Sequence, residues 1–160
     1  METVALRKWA IDTEPDLTRE AYALIDCGGA ESCGCEACFN FATSRHLVYS
    51  SEVLEFLDWL GIDPQLEAYA QYDEPLSMDQ HCYTVSFYLV GRIAQGPSTP
   101  VARRRDGDRS SLERAADVLV GFSADASDAP EAFHGLPCVR LEVRVVAPWV
   151  SNGPEPGVSH

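Results

Sequence analysis

The alternation of apolar and polar positions is cleanest near the end of the chain. In residues 138–147 (CVRLEVRVVA), Val139, Leu141, Val143 and Val145 alternate with Arg140, Glu142 and Arg144. That period of two sends successive side chains to opposite faces of a strand. It predicts a strand with one buried and one wet face, as an antiparallel sheet allows. Residues 81–93 (HCYTVSFYLVGRI) set Tyr83, Val85, Phe87 and Leu89 against Cys82, Thr84, Ser86 and Tyr88, and residues 116–122 are a further strand candidate.

In the first half the period lengthens. Val53, Leu54, Leu57 and Leu60 form a helical apolar stripe over residues 52–60. Ser50 or Ser51 can cap its free N–H groups, Glu52 and Glu55 suit the positive end of its dipole, and Gly61 is a ready residue to end it. Residues 36–48 form a plausible helix with Cys38, Ala42 and Arg45 along one side. Asp63-Pro64 reads as the start of another helical turn through Tyr69. Residues 3–11 could be a first strand. Residues 17–25 carry helical spacing with a strand-like end, which periodicity alone does not resolve.

These elements define an α+β fold, with an N-terminal helical, cysteine-rich half packed on a C-terminal antiparallel sheet. The expected organisation is a single domain over residues 1–150, with a cysteine-rich loop at 27–38. The last ten residues (SNGPEPGVSH) are too polar and too rich in Pro and Gly to pack, and are expected to be a disordered tail. A chain of 160 residues with 46% hydrophobic and 23% charged positions can build one core without disulfide staples.

Charge narrows the partners. The net charge is −13, and residues 1–80 hold nearly all of it, with Arg7, Lys8, Arg19 and Arg45 as their only Lys or Arg. Phosphate neutralisation needs Lys and Arg gathered on one face, so nucleic acid is excluded as a partner. Arg103, Arg104, Arg105 and Arg109 are the one basic cluster, and Asp106, Gly107 and Asp108 interrupt it as the tip of a solvated turn would. The acidic half suits solubility, a protein partner with a basic surface, or metal ions. No apolar run is long enough for a membrane span, and the N-terminus lacks a signal peptide's apolar stretch, so a cytoplasmic location is expected.

Candidate chemistry lies in the cysteines. Four of the six fall within twelve residues: Cys27, Cys33, Cys35 and Cys38 in CGGAESCGCEAC. Zn²⁺ takes four such thiolates tetrahedrally at about 2.3 Å. Cys35-x-x-Cys38 has knuckle spacing, Gly28, Gly29 and Gly34 would permit a tight wrap, and a helix opening at Glu36 would stabilise thiolate charge. All ligands crowd one loop, unlike the separated pairs of a zinc ribbon, so His46, His81, Cys82 or Cys138 could supply a distant fourth donor. Other uses of the cluster are a metal-free thiol group, a disulfide or redox pair, an iron–sulfur centre or a Cu(I) site. Cys82 and Cys138 sit in strand patterns, where a buried Cys acts as a small hydrophobe.

The run Cys33-Gly34-Cys35-Glu36-Ala37-Cys38-Phe39-Asn40-Phe41 resembles the CGCxxCxNF motif of a family of short uncharacterised bacterial proteins. Leu60-Gly61-Ile62-Asp63, the FYLVGRI stretch from Phe87 to Ile93, and Pro148-Trp149-Val150 are similar too. The resemblance implies Cys33, Cys35 and Cys38 as the recurring trio, and it brings no activity with it.

No GxSxG, HExxH, P-loop or dinucleotide GxGxxG occurs. Two functions follow as expectations. One is a small acidic accessory or interaction protein stapled by zinc on Cys27, Cys33, Cys35 and Cys38. The other is a zinc- or thiol-dependent enzyme using the same cluster, with Glu31 or Glu36 as base. Ligand count separates them, because structural zinc sites are closed by four protein ligands and catalytic ones keep a position open.

Overall fold

The computed structural model describes residues 1–98 and 112–157. The arginine cluster at Arg103, Arg104, Arg105 and Arg109 lies outside the described residues. Among these, the strands are β1 (Glu2–Leu6), β2 (Trp9–Thr13), β3 (Tyr69–Ser77), β4 (Gln80–Gln95), β5 (Glu113–Ala115), β6 (Val118–Ser123) and β7 (Cys138–Ala147). All seven join one antiparallel sheet in the order β1-β2-β4-β7-β6-β5, with β3 beside the first part of β4. The helices are α1 (Pro15–Tyr22), the single turn α2 (Gly29–Ser32), α3 (Glu36–Ser44) and α4 (Ser51–Leu60). None is long and apolar enough to cross a membrane.

The α+β class holds, but the halves are not divided as the pattern suggested. The N-terminus opens with a β-hairpin, which reaches the sheet by pairing Ile11 with Ile93 and Thr13 with Gly91. Its turn is Arg7-Lys8, with Arg7 at φ +53°. A turn without Gly or Asn carries no composition signal, so one strand was expected over residues 3–11 where two occur.

The long strand β4 is serviced differently along one edge. Residues up to Ser86 pair with β3, and residues from Gly91 pair with β2. Helix α1 fills the gap between them. The Tyr22 hydroxyl donates to Tyr88 O at 2.7 Å and accepts from Tyr88 N at 3.2 Å, while Thr18 Oγ1 accepts from Val90 N at 2.9 Å. Side chains thus replace a missing strand, and no buried backbone group there is left unpaired.

Helix α4 matches its sequence signals. Ser50 Oγ accepts from Val53 N at 3.3 Å, and Gly61 ends the helix at φ +83°. Gly61 also lies against Pro15, where a Cβ would overlap the carbonyl oxygen, so the close of α4 packs on the start of α1. Val53, Leu57 and Leu60 of α4, Phe41 of α3 and Ala30 of α2 join Tyr83, Val85, Phe87, Leu141, Val143 and Val145 in one core. The turn expected from Asp63 through Tyr69 does not develop. Asp63 O accepts from Leu66 N at 3.1 Å, after which the chain extends and Ala68 N donates to Ser86 O at 2.8 Å, leading into β3.

The polar face of β7 is not wet. Arg140, Glu142 and Arg144 are all buried. Arg144 donates to Asp73 Oδ2 at 2.8 Å and Glu74 Oε1 at 3.0 Å, and Arg140 donates to Tyr88 Oη at 3.0 Å and Ser86 Oγ at 2.8 Å. Side chains from three adjacent strands bury one another here. The sheet is also curled, since Arg7 Nε donates to Arg114 O at 2.7 Å and Lys8 pairs with Glu113 at 3.2 Å, joining its two ends.

Candidate metal centre

Cysteines 33, 35 and 38 meet where α2 hands over to α3. Their Sγ atoms all lie within 4.8 Å of one another, an arrangement that could hold a metal ion. Cys35 is the N-cap of α3, and its sulfur accepts from Cys38 N at 3.4 Å, as a Ser or Asp oxygen would in that position. One free N–H group of the first helical turn, that of Cys38, therefore points at sulfur. Cys33 Sγ lies 3.3 Å from Cys35 Sγ. Cys38 is buried, and its thiol reaches toward Ala70 O of β3 at 3.7 Å.

The surroundings divide the thiols electrostatically. The backbone N–H of Cys35, helped by the Cys38 and Cys35 side chains, holds the Cys33 thiol below its ordinary value. Burial, reinforced by hydrogen bonds that the thiol donates to Cys33 and Cys35, pushes the Cys38 thiol up. Without an ion, thiolate character is favoured at exposed Cys33 and disfavoured at buried Cys38. A cation would bring all three to the thiolate form.

Cys27, expected as a fourth ligand, is exposed and does not belong to this group. The distant donors do not converge on it either. His46 is exposed beside Arg45, and Cys82 is buried. His81 is enclosed, with Tyr72 Oη at 2.9 Å from Nδ1 and Glu155 Oε2 at 2.9 Å from Nε2.

Gly28 and Gly29 serve packing rather than a wrap around an ion. None of Gly28, Gly29 and Gly34 has a positive φ. A Cβ on Gly28 would overlap the Glu67 carboxylate and Gln65 O, and one on Gly29 would overlap Ala68 O. Glu67 is the anchor. Its side chain is fully buried, Arg45 pairs with it, and Arg45 Nη1 also donates to Glu31 Oε1 at 2.8 Å. The loop is therefore fixed at its Gly28–Glu31 end by an ion-pair network that the residue pattern did not disclose.

Two further features escaped the sequence. Asn40, inside the CxNF run, is fully buried in α3. It donates to Pro148 O at 2.9 Å and accepts from Val150 N at 2.7 Å and Ser151 N at 3.1 Å. Its signal was an amide among the inward positions of α3, between Cys38 and Phe41. The segment after Ser151, expected to trail free, is tied down as far as Glu155, whose Oε2 also accepts from Asp79 N at 2.9 Å. A groove of about 510 Å³ on the other side of Arg45 is lined by Ala42, His46, Tyr49, Leu54, Pro64 and Gln65. Its guanidinium is committed to Glu67 and Glu31.

No family model, curated protein or solved structure matches the chain. Fold and site together define an α+β protein with a three-thiol cluster at a helix N-terminus.

Proposed function

We propose that this chain is a small acidic accessory or interaction protein, stapled by Zn²⁺ on Cys33, Cys35 and Cys38, with the fourth position closed by a protein donor beyond these three. One observation carries the reading: three sulfurs converge where the chain has little else to hold it. Residues 31–36 are all exposed, so hydrophobic burial contributes almost nothing to their order. At such a loop, metal-binding energy becomes folding energy. Zinc–sulfur bonds of about 2.3 Å in a tetrahedron set sulfurs about 3.8 Å apart, between the 3.3 Å that separates Cys33 from Cys35 and the 4.8 Å within which all three lie. The resemblance of CGCEACFNF to the short bacterial proteins supports the same trio. A reducing cytoplasm would keep the thiols free for metal. The acidic half of the chain suits a partner with a basic surface and repels nucleic acid.

The test is native mass spectrometry and elemental analysis of protein purified without chelator, combined with thiol titration. One zinc per chain is expected, with the three thiols protected from alkylation until the metal is removed. A metal-free mass with all three thiols reactive would overturn the reading.

One observation favours a second reading, in which the site is catalytic. Three protein donors leave a fourth position for solvent, and two of those donors are exposed. This is the ligand count of zinc enzymes that activate a bound water. Cobalt substitution separates the two. A visible spectrum indifferent to added azide or thiol supports the staple, and a ligand-dependent spectrum supports the enzyme.

A further inference from the structure

The C-terminal segment after β7 crosses the molecule between two anchors. The first anchor is α3 itself. Asn40 holds the backbone of Pro148, Val150 and Ser151, and the Ser151 hydroxyl meets the carboxylate of Glu36. Glu36 lies between Cys35 and Cys38, and Asn40 lies two residues after Cys38, so this anchor is built on the helical turns that present the sulfurs. The second anchor is the tip of the β3–β4 hairpin. Trp149 N donates to Asp79 Oδ1 at 3.0 Å, the Trp149 ring lies 5.3 Å from the His81 ring, and Glu155 accepts from Asp79 N and His81 Nε2. Between the anchors the strap folds on itself, with Trp149 Nε1 donating to Gly153 O at 3.1 Å.

The hydrogen-bond pattern fixes the proton positions in the second anchor. Glu155 is an ionised acceptor, held below the usual carboxylate range by the Asp79 N–H and then by His81. Nε2 of His81 therefore donates to it, while Nδ1 lies 2.9 Å from Tyr72 Oη.

We propose that strap docking and metal binding at Cys33, Cys35 and Cys38 are coupled, so that residues 148–155 act as a metal-dependent latch. The inference rests on the zinc reading above. An ion at the trio fixes the first turn of α3, which fixes Glu36 and Asn40 in the positions the strap needs. Loss of the ion loosens that turn and releases the strap. His81 and Tyr72 are then uncovered, and Trp149 is freed as a contact surface. Linkage is reciprocal: if the ion favours the docked strap by some factor, the docked strap favours the ion by the same factor.

The experiment uses the full chain, with Zn²⁺ as the probe. Hydrogen exchange of residues 148–157 is followed with zinc bound and after chelation, and zinc affinity is measured by competition with a chelating dye. The wild type is compared with Glu155→Ala, a change at the anchor remote from the sulfurs. Chelation should speed exchange at the Val150 and Ser151 amides about fivefold or more, and Glu155→Ala should weaken zinc about fivefold at unchanged stoichiometry. Circular dichroism establishes that the variant is folded, and His81→Gln provides a second route to the same loosening. One zinc per chain, with exchange and affinity indifferent to the strap, would overturn the coupling and leave the zinc reading standing. Absence of bound zinc in the wild type would remove both.

Discussion

Arg45 and Glu67 form a two-pronged ion pair inside the protein, with Nε donating to Oε1 at 2.9 Å and Nη2 to Oε2 at 3.1 Å. The pair joins the end of α3 to the segment before β3, and Gly28 packs directly on the carboxylate. Burial raises Glu67 to about 7, against the opposing pull of Arg45. A carboxyl raised in the folded state is protonated there more readily than in the unfolded chain. Its contribution to stability is therefore greatest below the unfolded value of 4.5, declines as pH rises toward about 7, and is constant above that. The span corresponds to about 3 kcal/mol. Urea midpoints between pH 5 and 8 should fall with rising pH in the wild type, and the slope should flatten in Glu67→Gln. Parallel slopes in the two proteins would show that another group is responsible.

The same anchor makes a prediction about two glycines that look alike in the sequence. A Cβ at Gly28 meets the Glu67 carboxylate and the Gln65 carbonyl, whereas a Cβ at Gly34 meets nothing within 4 Å. Gly28→Ala should cost about 2 kcal/mol or more by forcing the loop off its ion pair, and Gly34→Ala should stay within about 0.5 kcal/mol. Chemical denaturation measures both. A costly Gly34→Ala would favour the idea that the loop wraps an ion using glycine backbone freedom.

This contrast shows what was legible in the sequence. Elements with strong local signals were readable: β7 occupies the residues its alternation marks, and α4 begins and ends at its Ser50 and Gly61 signals. The three clustered thiols were readable because sequence neighbours at a helix start are also neighbours in space. The rest depends on distant partners. Gly28 needs Glu67, Asn40 needs the backbone of residues 148–151, and His81 needs Glu155, which is 74 residues away. Composition alone marked residues 151–155 as loose, and the hydrogen bonds that order them come from α3 and a hairpin tip far along the chain. The turn at Arg7-Lys8 was hidden for a different reason, because its residues do not advertise a turn.

The polar face of β7 gives a test of that difference. Alternation implies that Arg144 faces water and tolerates replacement, while Val143 does not. In the structure both positions are buried, and Arg144 is held by Asp73 and Glu74. Arg144→Asp would set a third carboxylate against these two without their cation, at a cost of about 3–5 kcal/mol. Val143→Asp should be at least as severe, because it buries a charge among Val85, Val120 and Leu57 in the core. Arg144→Met should be milder than Arg144→Asp, because it fills space without adding like charge. Thermal melts rank the three. A wild-type melting temperature for Arg144→Asp would mean that the face is open to water.

The last prediction concerns which cysteines hold the ion. The structure gathers Cys33, Cys35 and Cys38, while Cys27 stands apart and exposed. Under the zinc reading, Cys27→Ser should keep one zinc per chain with nearly unchanged affinity, because its sulfur is not one of the converging three. Cys38→Ser should lose the zinc, since Cys38 is the buried member and ties the cluster to β3 through Ala70. The consequences for order should be local. Helix α3 should fray from its N-terminus, because the ion holds in place the Cys35 sulfur that accepts from Cys38 N. The sheet should persist, because its core of Tyr83, Phe87, Leu141 and Val143 is covered mainly by α4, Phe41 and the strands themselves. Circular dichroism with hydrogen exchange should therefore show lost protection over residues 29–44 and retained protection in β4 and β7. Loss of zinc in Cys27→Ser as well would instead assign the fourth position to Cys27, brought in by movement of the loop before Gly28.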